Sequence, residues 1–375
     1  MKLTACAAFA VLLFPVSSFS QQSAAQDNTV RLNQIQVIGT HNSYNNGFAP
    51  SEAKWLQAKN PKAFDSLEYS HKPLPAQFDS GVRQIEIDIA SDPQGGRYAH
   101  PRIVELVQEA NLPADPDFDP QHLMDKPGLK VLHVVDINQR SSCQPLVACL
   151  QQVRDWSNAH PKHVPIFVLL ENKSGATKNI DNAVEAPQFT AADFDELDRE
   201  IRTVFQPGEM IVPDEVRGTY PTLEAGVLAG NWPTLAASRG KVVFLMDQRK
   251  SSPIYAAGHP SLKGRVLFTN AVPGEPEAAF TEQNDGSPAA IDALVKRGYL
   301  VRARTDAETV AARSGDTHRR DDLLHSGAQF LSTDYPASEP SKWTGYSVAL
   351  PGGLVARCNP VNAPKGCVDA AIEPK

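Results

Sequence analysis

The chain reads as an α/β barrel, a ring of parallel strands with helices packed outside it. Three observations predict this. Short apolar, β-branched runs alternate with longer stretches, some of helical spacing, which is the pattern of successive βα units. About eight such runs occur within the 375 residues, enough to close a ring rather than leave an open doubly wound sheet. No GxGxxG follows the first strand, which removes the main dinucleotide-binding reading.

Taken in order, strands are expected at 34–39, 84–90, 166–170, 241–246, 265–269, 300–304 and 329–332, with a weaker one at 209–212. Residues 130–135 also read as a strand, either a barrel stave or the return arm of a hairpin. Helical spacing covers 146–158, 191–205 and 291–297, and Pro207-Gly208 stops the second of these. The Pro- and Asp-rich stretch 112–128 reads as a loop insertion, and 351–375 as a disulfide-tied tail. With no repeat and no long linker, residues 21–375 are expected to form one domain.

The first twenty residues have a Lys2 n-region, a short apolar run from Ala5 to Val16 and Ser18-Phe19-Ser20, the pattern of a secretory signal. The run is too short to span a bilayer and no later stretch is apolar for long enough, so a secreted or periplasmic protein, and a monomer, is expected. Cys143, Cys149, Cys358 and Cys367 form two sequence-local pairs, which an oxidising compartment would join as 143–149 and 358–367. Zinc ligation by the four lacks both CxxC spacing and an adjacent histidine. The net charge of −7, without a basic stripe, excludes nucleic acid as a partner but leaves a lipid headgroup at a membrane surface open.

Chemistry gathers at strand ends, which an α/β barrel brings to one rim. In Gln84–Ala90, Ile85, Ile87 and Ile89 share one face and Glu86 and Asp88 the other, about 7 Å apart. Two acids pointing into a barrel mouth would repel and lose hydration unless a cation neutralised them. Asn42, Glu86, Asp88 and Glu171 offer oxygen donors with no soft ligand among them, which suits Ca2+ or Mg2+, and calcium is the better match for an exported protein. Singly, each residue has an ordinary explanation: a strand-end histidine is usually structural, and a strand-end aspartate usually caps a helix. Their joint placement at strand ends is what argues for a site.

The run Thr40-His41-Asn42-Ser43-Tyr44 followed by Ile85-Glu86-Ile87-Asp88 resembles the catalytic core of the phosphoinositide-specific phospholipases C. The likeness is to the secreted, calcium-dependent bacterial branch of the PLC-like phosphodiesterase barrels. It continues through Lys130–His133, Pro165–Glu171, Gly298–Arg302, Ser332–Pro336 and Leu350–Gly353. It implies a TIM-type (β/α)8 barrel, calcium held by Asn42, Glu86, Asp88 and Glu171, and two-histidine acid–base catalysis on phosphatidylinositol. His41 matches the first histidine. His133, after an apolar run, is favoured over His100 in its proline loop as the second. Lys173 and Arg302 are candidates for the substrate phosphate, with rim salt bridges as the plain alternative. Two other functions stay in view: a glycerophosphodiester phosphodiesterase on the same barrel, which usually starts His-Arg-Gly, and a non-catalytic calcium-dependent lipid-binding barrel.

Overall fold

Strict alternation at 84–90 would ordinarily put one face in water, yet all seven residues are buried. The computed structural model describes residues 25–373, so the expected signal at 1–20 lies outside the described residues. Its strands are β1 (Ile35–Thr40), β2 (Gln84–Ala90), β3 (Lys130–Val131), β4 (Ile166–Asn172), β5 (Met210–Ile211), β6 (Val242–Met246), β7 (Phe280–Glu282), β8 (Leu300–Arg304), β9 (Phe330–Thr333) and β10 (Ala356–Cys358). The order β5-β6-β4-β2-β1-β9-β8-β7 is parallel throughout and curls around a common interior.

The gap between β6 and β7 is crossed by 268–271. Phe268 N donates to Phe244 O at 2.9 Å, Met246 N to Phe268 O at 2.9 Å, and Ala271 N to Phe280 O at 3.1 Å. The stave expected at 265–269 therefore occurs as isolated bridges rather than a ladder. The cause is local: the Val266 and Leu267 amides donate to the Tyr255 hydroxyl, which takes the place of a neighbouring strand. Residues 130–135 resolve as the hairpin's return arm, because β3 runs antiparallel to the end of β2. β7 and β10 were not expected from the sequence.

Three helices lie where the spacing places them, α1 (Leu146–Ala159), α2 (Ala191–Val204) and α3 (Pro288–Lys296). Thr190 caps α2 by accepting from Asp193 N, and Ser287 caps α3 ahead of Pro288 at the first helical position. Helices at Pro50–Lys59 and His318–His325 escape a periodicity reading because so few of their buried residues are apolar: Leu56 beside Ser51 and Glu52, and Leu323 alone. Both disulfides are formed, Cys143–Cys149 and Cys358–Cys367.

Parallel register decides what faces inward. Asp88 stands opposite Glu171, and Gly39 opposite both Gln84 and Ser332. Gln84 crosses so close to β1 that a Cβ at Gly39 would overlap its side chain, so only glycine fits there. Phe167 and Phe330 pack inside the ring with centroids 4.4 Å apart, and Phe280 joins them at 6.3 Å from Phe330. Outside, Ile85, Ile87 and Ile89 belong to the main apolar cluster with Leu150 and Val153 of α1. These rings fill the lower barrel, and the acids of β2 and β4 sit above them. The tail returns under the barrel, where β10 pairs antiparallel with β1 at Ile35, Gln36 and Val37.

Candidate active site

The mouth begins with the turn that ends β1. His41 N donates to Thr333 O at 3.0 Å, tying the turn to β9. Asn42 sits at φ +46°, in the left-handed region that asparagine tolerates better than most residues. Ser43 locks the turn to β2: its amide donates to Glu86 O, and its hydroxyl accepts from Glu86 N at 2.9 Å. The His-Asn-Ser run and the carboxylate strand are thus one hydrogen-bonded unit.

Glu86, Asp88 and Glu171 converge, with one ligand atom of each within 4.8 Å of the others. Two cations answer them. Lys173 Nζ bridges Asp88 Oδ2 at 2.7 Å and Glu171 Oε1 at 2.9 Å. Arg302 pairs with Glu86 and reaches Glu282 at 3.4 Å. Three carboxylates against two side-chain cations leave the cluster short of positive charge. Burial pushes the Glu86 carboxyl up to about 7 against the pull of Arg302, and burial raises Asp88 against that of Lys173. Lys173 and Arg302 therefore stand in buried ion pairs with the acids.

The fit of a metal can be tested on Asn42. Its Nδ2 donates to Tyr69 Oη at 2.6 Å, which leaves Oδ1 3.1 Å from both Asp88 oxygens. Acceptors that close are reconciled either by a half-turn of the amide or by a cation between them. Oxygen ligands around calcium lie at about 2.3–2.6 Å from the ion, and an oxygen-only set is what calcium takes. The residues present fit that ion.

His41 lies against this cluster, its Nε2 3.8 Å from Glu86 Oε1 and its side chain 20% exposed. Its Nδ1 meets Asp334 Oδ1 at 2.7 Å, and Arg304 holds the other Asp334 oxygen at 3.0 Å. His133 stands edge-on to His41 with ring centroids 6.3 Å apart, while His100 is exposed elsewhere. Burial, reinforced by Arg304 and Arg302 at His41 and by Lys173 at His133, holds both imidazoles well below the usual histidine range. A cavity of about 540 Å³ opens beside them, with Tyr69 and Asp334 in its wall and Phe48, Phe64 and Trp343 beyond.

The sequence matches the family described as "Phosphoinositide phospholipase C, Ca2+-dependent" over residues 30–360. The chain belongs to this family. It is a phosphoric diester hydrolase of the calcium-dependent phosphoinositide phospholipase C type, and Glu86, Asp88 and Glu171 form an acidic cluster able to hold the metal. Among solved structures it is similar to the calcium-dependent phosphoinositol-specific phospholipase C of a Gram-negative Pseudomonas species in its apo form. That match has a TM-score of 0.52 at 16% identity, covering 89% of this chain and 96% of the other. The same enzyme's myo-inositol complex gives 0.51 at 17%, over 89% and 97%. The calcium-dependent phosphatidylinositol-specific enzyme of Streptomyces antibioticus gives 0.47 at 19%, over 82% and 95%. At these identities the likeness concerns the fold. No curated protein matches the chain.

All six residues singled out for catalysis and metal binding thus meet at one mouth: His41, His133, Asn42, Glu86, Asp88 and Glu171. Three further groups were not singled out. Asp334 shares the inward parity of Phe330 and Ser332, a signal that its strand-end position alone did not convey. Tyr69, and His71 with its partner Glu339, come from loops and carry no periodic signal. His71 Nε2 lies 2.9 Å from the His41 carbonyl oxygen, and its Nδ1 lies 2.7 Å from Glu339.

Proposed function

We propose that the protein cleaves the phosphodiester of phosphatidylinositol, releasing diacylglycerol and a cyclic inositol phosphate. The observation that carries this reading is the pair of half-buried imidazoles, His41 and His133, set against an oxygen-ligand cluster at the barrel mouth. Asn42, Glu86, Asp88 and Glu171 would hold the calcium. Bound there, it supplies positive charge to the phosphoryl oxygen and lowers the pKa of the attacking hydroxyl.

The inositol 2-hydroxyl attacks the adjacent phosphorus as the phosphorus–glycerol oxygen bond breaks. His41 takes the hydroxyl proton at Nε2, because Asp334 occupies Nδ1 and favours its tautomer with hydrogen there. Burial keeps His41 neutral near pH 7, as a proton acceptor must be. To deliver a proton to the leaving glycerol oxygen, His133 must first be protonated, which the negative charge of a bound phosphate favours against the pull of burial and Lys173; Arg302 and Lys173 add positive charge beside the phosphate. The two disulfides agree with export through residues 1–20 to an oxidising compartment, with 21–375 acting as one catalytic unit.

Phosphorus NMR of phosphatidylinositol with the protein, first with calcium and then with chelator, tests this. A five-membered cyclic phosphate signal that needs calcium is expected. Hydrolysis of glycerophosphodiesters alone, or turnover undiminished by chelator, overturns the reading.

A further inference from the structure

The chain that follows the His-Asn-Ser turn packs back onto it. Gln77, wholly buried in the helix Leu74–Asp79, accepts from the Thr40 hydroxyl at 2.7 Å and donates to the Ser43 carbonyl oxygen at 2.6 Å. Within that frame both backbone polar groups of His41 are gripped. Its amide donates to Thr333 O at 3.0 Å, and its carbonyl oxygen lies 2.9 Å from His71 Nε2. The His71 amide donates in turn to Asn45 O at 2.8 Å.

His71 also reaches the loop beyond β9. Its Nδ1 lies 2.7 Å from Glu339 Oε2, while Glu339 Oε1 accepts from the Lys72 amide at 2.9 Å. Glu339 stands a few residues after Asp334, in a turn closed by its own amide donating to Pro336 O at 2.8 Å. The His71 side chain is fully buried between the two segments. A carbonyl oxygen can only accept, so Nε2 carries a hydrogen, and a carboxylate so close to Nδ1 asks for one there too. Burial pushes the Glu339 carboxyl up, but the His71 contact outweighs it and holds the group below the usual carboxylate range. Turning the ring by half would set carbon against both oxygens, so its partners fix its orientation.

We propose that His71, paired with Glu339, is a positioning residue that latches the turn bearing His41 to the loop that follows Asp334, and so sets the contact between those two side chains. This rests on His41 as the base proposed above. The register of β1 with β9 ends at Thr40 and Thr333, so His41 and Asp334 leave the ladder just where they meet. Their contact of 2.7 Å spans two loops, and His71 is anchored in both. It acts through the backbone of His41 rather than through the ring.

The test is steady-state cleavage of phosphatidylinositol by the full protein in saturating calcium. Asparagine can present its amide nitrogen where Nδ1 lies, and glutamine where Nε2 lies. His71→Asn keeps the Glu339 side of the latch and loses the His41 side. Its kcat should fall by roughly 10–100-fold with KM within about twofold, the scale of a small misplacement of a reacting group. His71→Gln, which keeps the donor to His41, should recover most of that loss. In an Asp334→Asn background no carboxylate is left to aim, so adding His71→Asn should lower kcat by less than about threefold more. An undiminished His71→Asn, equal losses for the two variants, or losses that simply multiply in the Asp334→Asn background overturn the proposal. A parent that does not cleave phosphatidylinositol sinks the function proposed above, and nitrogen-15 histidine then reads the latch. Both His71 ring nitrogens should carry hydrogen at neutral pH, and a bare Nε2 overturns it. The same spectrum decides if the variants do not fold.

Discussion

The two sides of the barrel mouth are built by different means. On the acid side, Glu86, Asp88 and Glu171 are strand residues, and pairing between β2 and β4 sets Asp88 opposite Glu171. Slipping that register by one residue would turn the acids outward, so the whole ladder holds them in place. On the histidine side, His41 ends β1 and His133 follows the short antiparallel arm β3. Their rings are aimed by single contacts, such as Asp334 on His41 Nδ1. The acid side is positioned by architecture and the histidine side by a few side chains, so each should fail in its own way.

The widest separation is expected from His41→Ala. It should lower turnover by roughly 10²–10⁴-fold, the usual contribution of general acid–base groups, while calcium affinity by calorimetry stays within twofold. Lost affinity would show that the two sides are one unit. Asp334→Asn is a milder form of the same test. It should lower kcat by about 10²-fold, again without moving calcium affinity, because it disturbs only the tautomer and aim of His41.

Asp88→Asn probes the other side. Calcium affinity should weaken by about 10–100-fold, and activity should recover when calcium is raised. Activity that stays low in saturating calcium would mean that Asp88 acts in the chemistry itself.

The smallest effect is in pH. Burial holds the Glu86 carboxyl at about 7, whereas in an unfolded chain it titrates near about 4.3. Between those values the metal-free native state keeps a proton that the unfolded state has lost. Its stability therefore falls as pH rises through that window. Calcium needs ionised carboxylates, and burial raises both Glu86 and Asp88, so its affinity should climb with pH through this window. Calorimetry at pH 5.5, 6.5 and 7.5 checks the sign, and an affinity that falls with pH would contradict it.

The same contrast explains what could be read without a structure. Period-two alternation in 84–90 shows which residues face together, so Glu86 and Asp88 were visible as an inward pair, and the strand ending at Glu171 was visible as well. Asp334 stood in plain view at a strand end. Its partnership with His41 depends on β9 lying beside β1, an adjacency of strands almost 300 residues apart that no local pattern reports. His133 and His100 both follow the acid pair, and only the folded hairpin sets one beside His41. Tyr69 carried no signal because it reaches Asn42 and His41 from a loop.

The seam beside β1 has a consequence for the order of assembly. β1 touches β2 through one paired position, Gly39 with Gln84, and fills its remaining edges with β9 and with β10 from the tail. As the chain is synthesised, its first strand has only the β2 side to bind, through Ile38, Gly39 and the Ser43 turn, until the last two strands have appeared. Closing so long a loop is entropically slow, so the barrel should commit to its final form late. Until then the His-Asn-Ser turn exists without the backbone partner that ties it to β9, and the catalytic mouth should be among the last parts of the molecule to come into being.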